Sequence, residues 1–565
     1  MKPGAFTFVL HSHLPYARLA GRWPHGEEWI HEAATETYLP LLSALHDLAA
    51  EGTRYRLTIG VTPVLAEQLA DADVLRHLEA YIEGLRERAD ADVGRFERAG
   101  DEQRRSIATF YRGRFEWLLQ QFRDRFGRDL IGALRRLQDD GYVEIAASAA
   151  THGYLPLFER DSSIYGQVRT GIRAHERHFG RAPRSFWLPE CAYRAPYVSE
   201  GGVRKPGLEE FLAAQGISTF FVETQAILGG EPAGKAAGDA IGPSGDVPKR
   251  YAVPQPPRAA AMERTTFQPY WVSRPGVAAI GRNVATGLQV WSADHGYPGD
   301  FAYREFHKKD GESGLHYWRV TGAGVGLGEK QLWDANAAFE RVHEHARHFA
   351  GLVEEQVRAY AASSGRYGIV SAAYDTELFG HWWFEGVTWL QEVLRHLAGS
   401  DTVDLTGAAE FVSAHPPREV VTLPEGSWGQ QGTHFTWLNA DTAWMWPIVT
   451  AAQRRIEAIA GSGGGGPQLM RDARAQLARE LLLLESSDWP FLVTTGQARE
   501  YAELRFREHV ERFERLAAQI EGEAVDAAYV ADLQQRDNPF PDIEIADFAA
   551  REGVAGERAK ALRSY

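Results

Sequence analysis

Six short apolar runs constrain this chain more than any other feature. They lie at residues 5–10, 55–60, 143–147, 185–188, 218–222 and 368–373. Each suits a strand covered on both faces. Helical periodicity fills most of the intervals, for example at 35–50 and 162–179. Alternating strand and helix predicts a parallel α/β sheet, either a barrel or doubly wound. In such folds the reactive side chains gather where strands end.

Two intervals differ. Residues 74–140 are charged and helical in pattern, an insertion between two strands. Residues 227–253 hold mostly Gly, Ala, Pro and polar residues and read as a flexible loop. A Gly-rich joint at 461–467 precedes an amphipathic helical stretch, 468–522, interrupted near Asp488-Trp489-Pro490. There is no internal repeat.

Composition narrows the function. A net charge of −15 over 565 residues disfavours a nucleic-acid partner. Pairs such as Arg104-Arg105 and Arg135-Arg136 fit solvated helix faces. One cysteine, Cys191, rules out an intramolecular disulfide and suits a reducing compartment. The N-terminal apolar run is too short for a signal peptide, and no stretch approaches the ~18 apolar residues of a membrane span. A cytoplasmic location without a membrane partner is expected.

The strand ends carry the chemistry. His11-Ser12-His13 follows the first run, Thr151-His152-Gly153-Tyr154 the third, Pro189-Glu190-Cys191 the fourth and Tyr374-Asp375-Thr376-Glu377 the sixth. Paired carboxylates could cleave a glycosidic bond, one as nucleophile and one as acid/base, with imidazoles binding hydroxyls. Alternatively, His11, His13, His152 and Asp375 could hold zinc for hydrolysis. A His-x-His on one strand face also has a purely structural reading. Spacing alone leaves all three open.

Five blocks extend the pattern: HSHLPY at 11–16, EIAASAATHGYLPL at 144–157, FWLPECAY at 186–193, AYDTELFGHWWFEG at 373–386 and LLLLESSDWPFLVTTGQA at 481–498. In order and content they resemble glycoside hydrolase family 57, over roughly residues 5–520, and the form DTELFGHWW points to its branching subgroup. The resemblance implies an α/β fold, an incomplete (β/α)7 barrel with a helical insertion and a helical C-terminal domain. Residues 1–410 would form the barrel, 411–530 a helical domain contributing to the active site, and 531–565 a loosely held tail. It implies Glu190 as nucleophile, Asp375 as general acid/base, and sugar contacts from His11, His13, His152 and Asp488. No metal or other cofactor is implied.

The expected reaction is retaining double displacement on an α-1,4-glucan, with a second glucan as acceptor for an α-1,6 branch. An α-amylase-type hydrolase or a 4-α-glucanotransferase would use the same residues. A metal-dependent deacetylase-like enzyme and a non-catalytic glycan-binding protein are rivals from other classes. The same resemblance places Trp23, Trp291, Trp428 and Trp437 around the donor chain. Tyr251 is the local candidate for a loop tyrosine over the site. Trp489 and Cys191 are expected to pack, and Glu377, which is assigned no catalytic role, to orient a neighbour or simply hydrogen-bond.

Overall fold

The computed structural model describes residues 2–22, 24–230, 262–273, 276–291, 296–463 and 465–551. Seven parallel strands lie side by side in the order Gly368–Asp375, Gly4–Ser12, Leu57–Val61, Val143–Ser148, Ser185–Trp187, Thr219–Val222 and Ala278–Gly281. The series does not close on itself. Tyr270–Val272 continues it antiparallel, and Val420–Val421 lies beyond. Val403–Leu405 also pairs with the first strand. This is the incomplete (β/α)7 barrel expected.

Burial on both faces explains the apolar runs. All nine residues of Gly4–Ser12 are buried, as are all five of Leu57–Val61. Register places His11 opposite Asp375 and Gly60, so one transverse line of the sheet carries an imidazole beside a carboxylate. The Ala278–Gly281 strand has no counterpart among the six runs. Four residues of Ala-Ala-Ile-Gly give too little signal.

Helices Ala72–Ala99, Glu102–Gln120 and Leu130–Asp139 occupy the interval between the second and third strands. The Asp71 carboxylate accepts the N–H groups of Asp73 and Val74, and Gly100 ends that first helix at φ 67°. Five helices from Met445–Gly461 to Ala527–Arg536 build the C-terminal bundle. The segment Ala34–Tyr38 is a π-helical turn, a form that often marks a functional site.

Two expectations need correction. The tail from 531 is not loosely held as far as residue 551. Phe540 and Phe548 are fully buried, Arg479 donates to the carbonyls of Pro539 and Phe540, and Arg512 pairs with Asp537 at 2.8 Å. A Cβ at Gly166 would sit 2.3 Å from the Phe548 ring, so the ring fills the place that glycine leaves. Polar spacing between those aromatics concealed the anchors. The loop expected at 227–253 begins later, because Ile227 is buried within helix Thr224–Leu228. Residues 231–261, with Tyr251, lie outside the described residues.

Candidate active site

Glu190 sits on the turn Pro189–Cys191, just past strand Ser185–Trp187. Its φ of 60° and that of Cys191, 47°, are unusual for side-chain-bearing residues and cost energy that surrounding contacts must offset. Trp428 supplies two of those contacts. Its indole Nε1–H donates to Glu190 Oε2 at 2.6 Å, and its backbone N–H to the Glu190 carbonyl at 3.0 Å. Reciprocal backbone bonds between Tyr193 and Gly426, at 2.8 and 3.1 Å, fasten the same two segments. A stretch more than two hundred residues downstream thus completes the Glu190 site.

Asp375 ends strand Gly368–Asp375. Two residues on, Glu377 accepts the His13 backbone N–H at 3.1 Å and the Tyr38 hydroxyl. Tyr38 belongs to the π-helical turn. Gly380 crosses that turn with φ 102°, and a Cβ there would lie 2.0 Å from the Glu36 carbonyl oxygen, so only glycine fits. Glu377 therefore ties the end of strand Gly4–Ser12 to that turn.

The three histidines meet. His11 and His152 share a hydrogen bond between their Nε2 atoms at 3.1 Å, and the His13 ring lies 3.9 Å from that of His152. His13 Nε2 reaches both oxygens of Asp488 at 3.1 Å, and its Nδ1 meets Thr62 Oγ1 at 3.0 Å. His152 Nδ1 lies 2.9 Å from Ser487 Oγ and 3.9 Å from Glu190 Oε1. Burial pushes His11 and His152 well below the usual imidazole range, and their like-charged neighbours add to this. Both are neutral near pH 7 and offer hydrogen bonds to hydroxyls.

The other nitrogens of the three meet one another, Thr62, Ser487 and Asp488, whereas His11 Nδ1 is buried without a partner, and among the described residues His11, His13, His152 and Asp375 do not converge as a ligand set. Among the described residues the carboxylate–imidazole group that does converge is Glu480, His509 and Asp537. Arg505 donates to His509 Nε2 at 2.9 Å and Arg512 to Asp537 at 2.8 Å, so that group ties helices and tail together.

Burial also governs the carboxyls. It raises Glu190 to about 8, with Asp375 and Asp488 adding repulsion and the Trp428 hydrogen bond opposing. It raises Asp375 to about 7, against the pull of His13 and Arg282. These values alone would protonate Glu190 first. The two carboxyls repel, however, so they titrate as a pair that holds one proton between two steps. An indole N–H directed at Glu190 favours its ionised form, and among the described residues Asp375 has no such donor. Trp428 thus holds Glu190 nearer its ionised form than burial alone would, as the His13 and Arg282 charges do for Asp375.

The remaining expected residues divide. Trp428 is at the site. Trp437 is fully buried, stacked on Tyr154 at 4.2 Å, and would meet a Cβ on Gly429 at 2.4 Å. It presents no open face for a sugar and instead backs the turn that carries Trp428. Trp291 ends helix Val284–Trp291, partly buried against the barrel core. Trp23 and Tyr251 lie outside the described residues. Trp489 packs as expected, fully buried, with its indole bonded to the Leu483 carbonyl at 2.8 Å, and Cys191 is buried. Trp383 is core, whereas Trp382 stacks on Phe306 at 5.1 Å.

Sequence reasoning missed two groups. Arg282 and Glu223, each one residue past a strand, form a 2.7 Å ion pair, and Arg282 acts electrostatically on Asp375. His25, Trp29 and Tyr501 form an aromatic cluster with ring separations of 5.3–5.7 Å. Its Tyr501 hydroxyl is buried without a partner, within reach of the Asp488 charge. Only their position after a strand or beside a block could have flagged them.

An open parallel barrel that lines its strand ends with buried carboxyls, neutral imidazoles and indoles defines a carbohydrate-active barrel enzyme. A family model described as Glycosyl hydrolase family 57 matches residues 7–424, and the chain belongs to that family. A second model, described as 1,4-alpha-glucan branching enzyme, C-terminal, matches residues 448–548. The chain is 44% identical over 564 residues to 1,4-alpha-glucan branching enzyme TK1436 of Thermococcus kodakarensis, covering 97% of this chain and 79% of that protein. It is 32% identical to a probable 1,4-alpha-glucan branching enzyme of Mycobacterium tuberculosis, covering 90% of each. The crystal structure of TK1436 superposes with a TM-score of 0.88 at 42% identity and 97% coverage of each chain. The alpha-amylase AmyC of Thermotoga maritima superposes at 0.81 with 29% identity, covering 98% of this chain and 100% of that one.

Proposed function

We infer that the protein is a 1,4-alpha-glucan branching enzyme. The catalytic pair alone does not separate transfer from hydrolysis. The observation that carries the reading is the match of the C-terminal bundle, residues 448–548, to the branching-enzyme model, supported by 44% identity to TK1436.

Glu190 attacks C1 of an α-1,4-linked glucosyl unit while Asp375 gives its proton to the departing O4. The C1–O4 bond breaks and a glucosyl ester of Glu190 forms. Asp375, now ionised, takes the proton of an acceptor 6-hydroxyl, whose oxygen attacks C1 and releases Glu190. Two inversions retain the α configuration, and the product carries an α-1,6 branch. His11, His13 and His152 hold donor hydroxyls, Asp488 orients His13, and Trp428 orients Glu190. With water as acceptor the same residues hydrolyse, so the outcome rests on excluding water.

The likeness to AmyC favours a second reading, an α-amylase. Proton NMR of amylose incubated with the enzyme tests the choice. New α-1,6 anomeric signals, absent with Glu190→Gln, support branching. Loss of α-1,4 signal into reducing ends alone supports the amylase. We further place the enzyme in the cytoplasm, in storage-glucan synthesis. A single buried cysteine suits that compartment, and no described helix is long and apolar enough to cross a membrane.

A further inference from the structure

We propose that the outer face of helix Glu102–Gln120 carries a non-catalytic binding site for an α-1,4-glucan chain, built from Phe110, Gly113, Arg114 and Trp117. These residues fall at i, i+3, i+4 and i+7, one stripe of the helix, and line a cleft of about 360 Å³. That is within the range of small-ligand pockets, roughly 300–1,000 Å³. The opposite stripe, which includes Ile107, Tyr111, Phe115 and Leu118, is buried in the core.

Phe110 and Trp117 pack in part against the core, and three features of the stripe bear on a ligand. Gly113 lies mid-helix, where glycine is less favourable than alanine. A Cβ there would meet nothing within 4 Å, so packing does not require the glycine, and its effect is to keep the cleft floor open. Arg114 lies over the Phe384 ring at 4.6 Å and has no hydrogen bond or ion pair with any described residue. Burial and the neighbouring Arg304 push its pKa down to about 10, against the pull of Glu36 and Glu385. The side chain is only partly buried, so its donors remain open to solvent or a ligand. Trp117 is half-buried, pairs with no other aromatic ring and donates its indole N–H to no described residue.

The chemistry of these groups selects the ligand. Indole and phenyl faces take the C–H faces of sugars, and a guanidinium presents five donors in a fixed fork to hydroxyl oxygens. Phe110 and Trp117 lie about 10 Å apart along the helix axis, further than one sugar ring spans, so linked units meet both. Glu36 and Glu385 offset part of the Arg114 charge, which favours a neutral polyol over an anion. The inference rests on the glucan reading above, and the site would hold polymer near the enzyme without touching the reacting bond.

The test is native electrophoresis in gels containing amylose, with Trp117→Ala and Gly113→Leu compared with wild type. Gly113→Leu fills the cleft from an open helix position and so keeps the fold. Thermal midpoints check this. The expected result is about tenfold weaker retention for both variants, ~1.4 kcal/mol, with kcat and KM on maltoheptaose unchanged within about twofold. Wild-type retention in both variants overturns the site, as does thermal protection of wild type by inorganic phosphate that maltoheptaose does not match and Trp117→Ala leaves intact. If wild type makes no α-1,6 links from amylose, the parent reading fails. If it branches normally while both variants migrate like wild type, only this site fails.

Discussion

Replacing Trp428 by Phe removes the indole N–H donor and three ring atoms and leaves an aromatic ring in its place. Trp428 is 4% exposed and packs edge-on against Trp187 at 5.0 Å, a contact that Phe largely keeps. Its backbone bond to the Glu190 carbonyl is unaffected. The indole N–H bonded to Glu190 Oε2 is lost. A hydrogen bond to a charged group contributes about 1.5–3 kcal/mol, and 1.36 kcal/mol is one pKa unit. The donor favours the ionised carboxylate, so its loss raises the Glu190 pKa, already about 8, by roughly one to two units. As the proposed nucleophile Glu190 must be ionised to attack, so activity should be lost as pH falls through that pKa, and the ascending limb of the pH profile should move up. Because the two carboxyls titrate as a pair, the bell narrows from its acid side. At pH 7 the rate should fall by about 10- to 150-fold, the same energy expressed as a rate. The assay is kcat/KM against pH on an aryl maltooligosaccharide, with circular dichroism to check the fold. A fall in rate with the acid limb unmoved would refute the claim that Trp428 acts by holding Glu190 ionised.

Asp488→Asn should shift the same limb the other way, because the Asp488 charge raises the Glu190 pKa. It should also lower kcat/KM by about tenfold or more as His13 loses its carboxylate. An unmoved or raised limb would contradict this. Glu190→Gln should abolish turnover, and Asp375→Asn should slow it by on the order of 10² to 10⁴. Azide should restore part of the activity of Asp375→Ala on a substrate with a good leaving group, and no rescue would argue against an intact nucleophile in that variant. Phe548→Ala should cost about 3–5 kcal/mol, read as a lowered thermal midpoint with the pH profile unchanged, whereas a wild-type midpoint would mean that the tail is not held by this ring.

The barrel was legible because strands covered on both faces are mostly apolar, and six of the seven parallel strands fall on such runs. The seventh, Ala278–Gly281, is short and small-sided, so neither periodicity nor hydrophobicity marks it. Glu190, Asp375 and the three histidines were legible as polar residues abruptly ending apolar runs. Arg282 and Glu223 follow the same rule, but single charges after short runs are common and the first of those runs went unseen. Partners supplied from far along the chain were not legible. Nothing local says that Trp428, 238 residues beyond Glu190, donates to it, or that Trp437 is fully buried against Tyr154. The tail failed for the opposite reason. Its anchors, Phe540 and Phe548, are isolated apolar residues whose burial depends on recesses formed by other segments, one of them left by Gly166.

The central claim is that the glucosyl-enzyme is passed to a glucan 6-hydroxyl rather than to water. Incubation with amylose tests it most directly, with reducing ends counted before and after complete enzymatic debranching and the released chains sized. A branching enzyme should leave the reducing ends nearly constant before debranching and raise them sharply afterwards, as transferred chains are freed from α-1,6 links. Reducing ends that rise steadily before debranching, with no further rise after it, would contradict the account and make the protein a hydrolase.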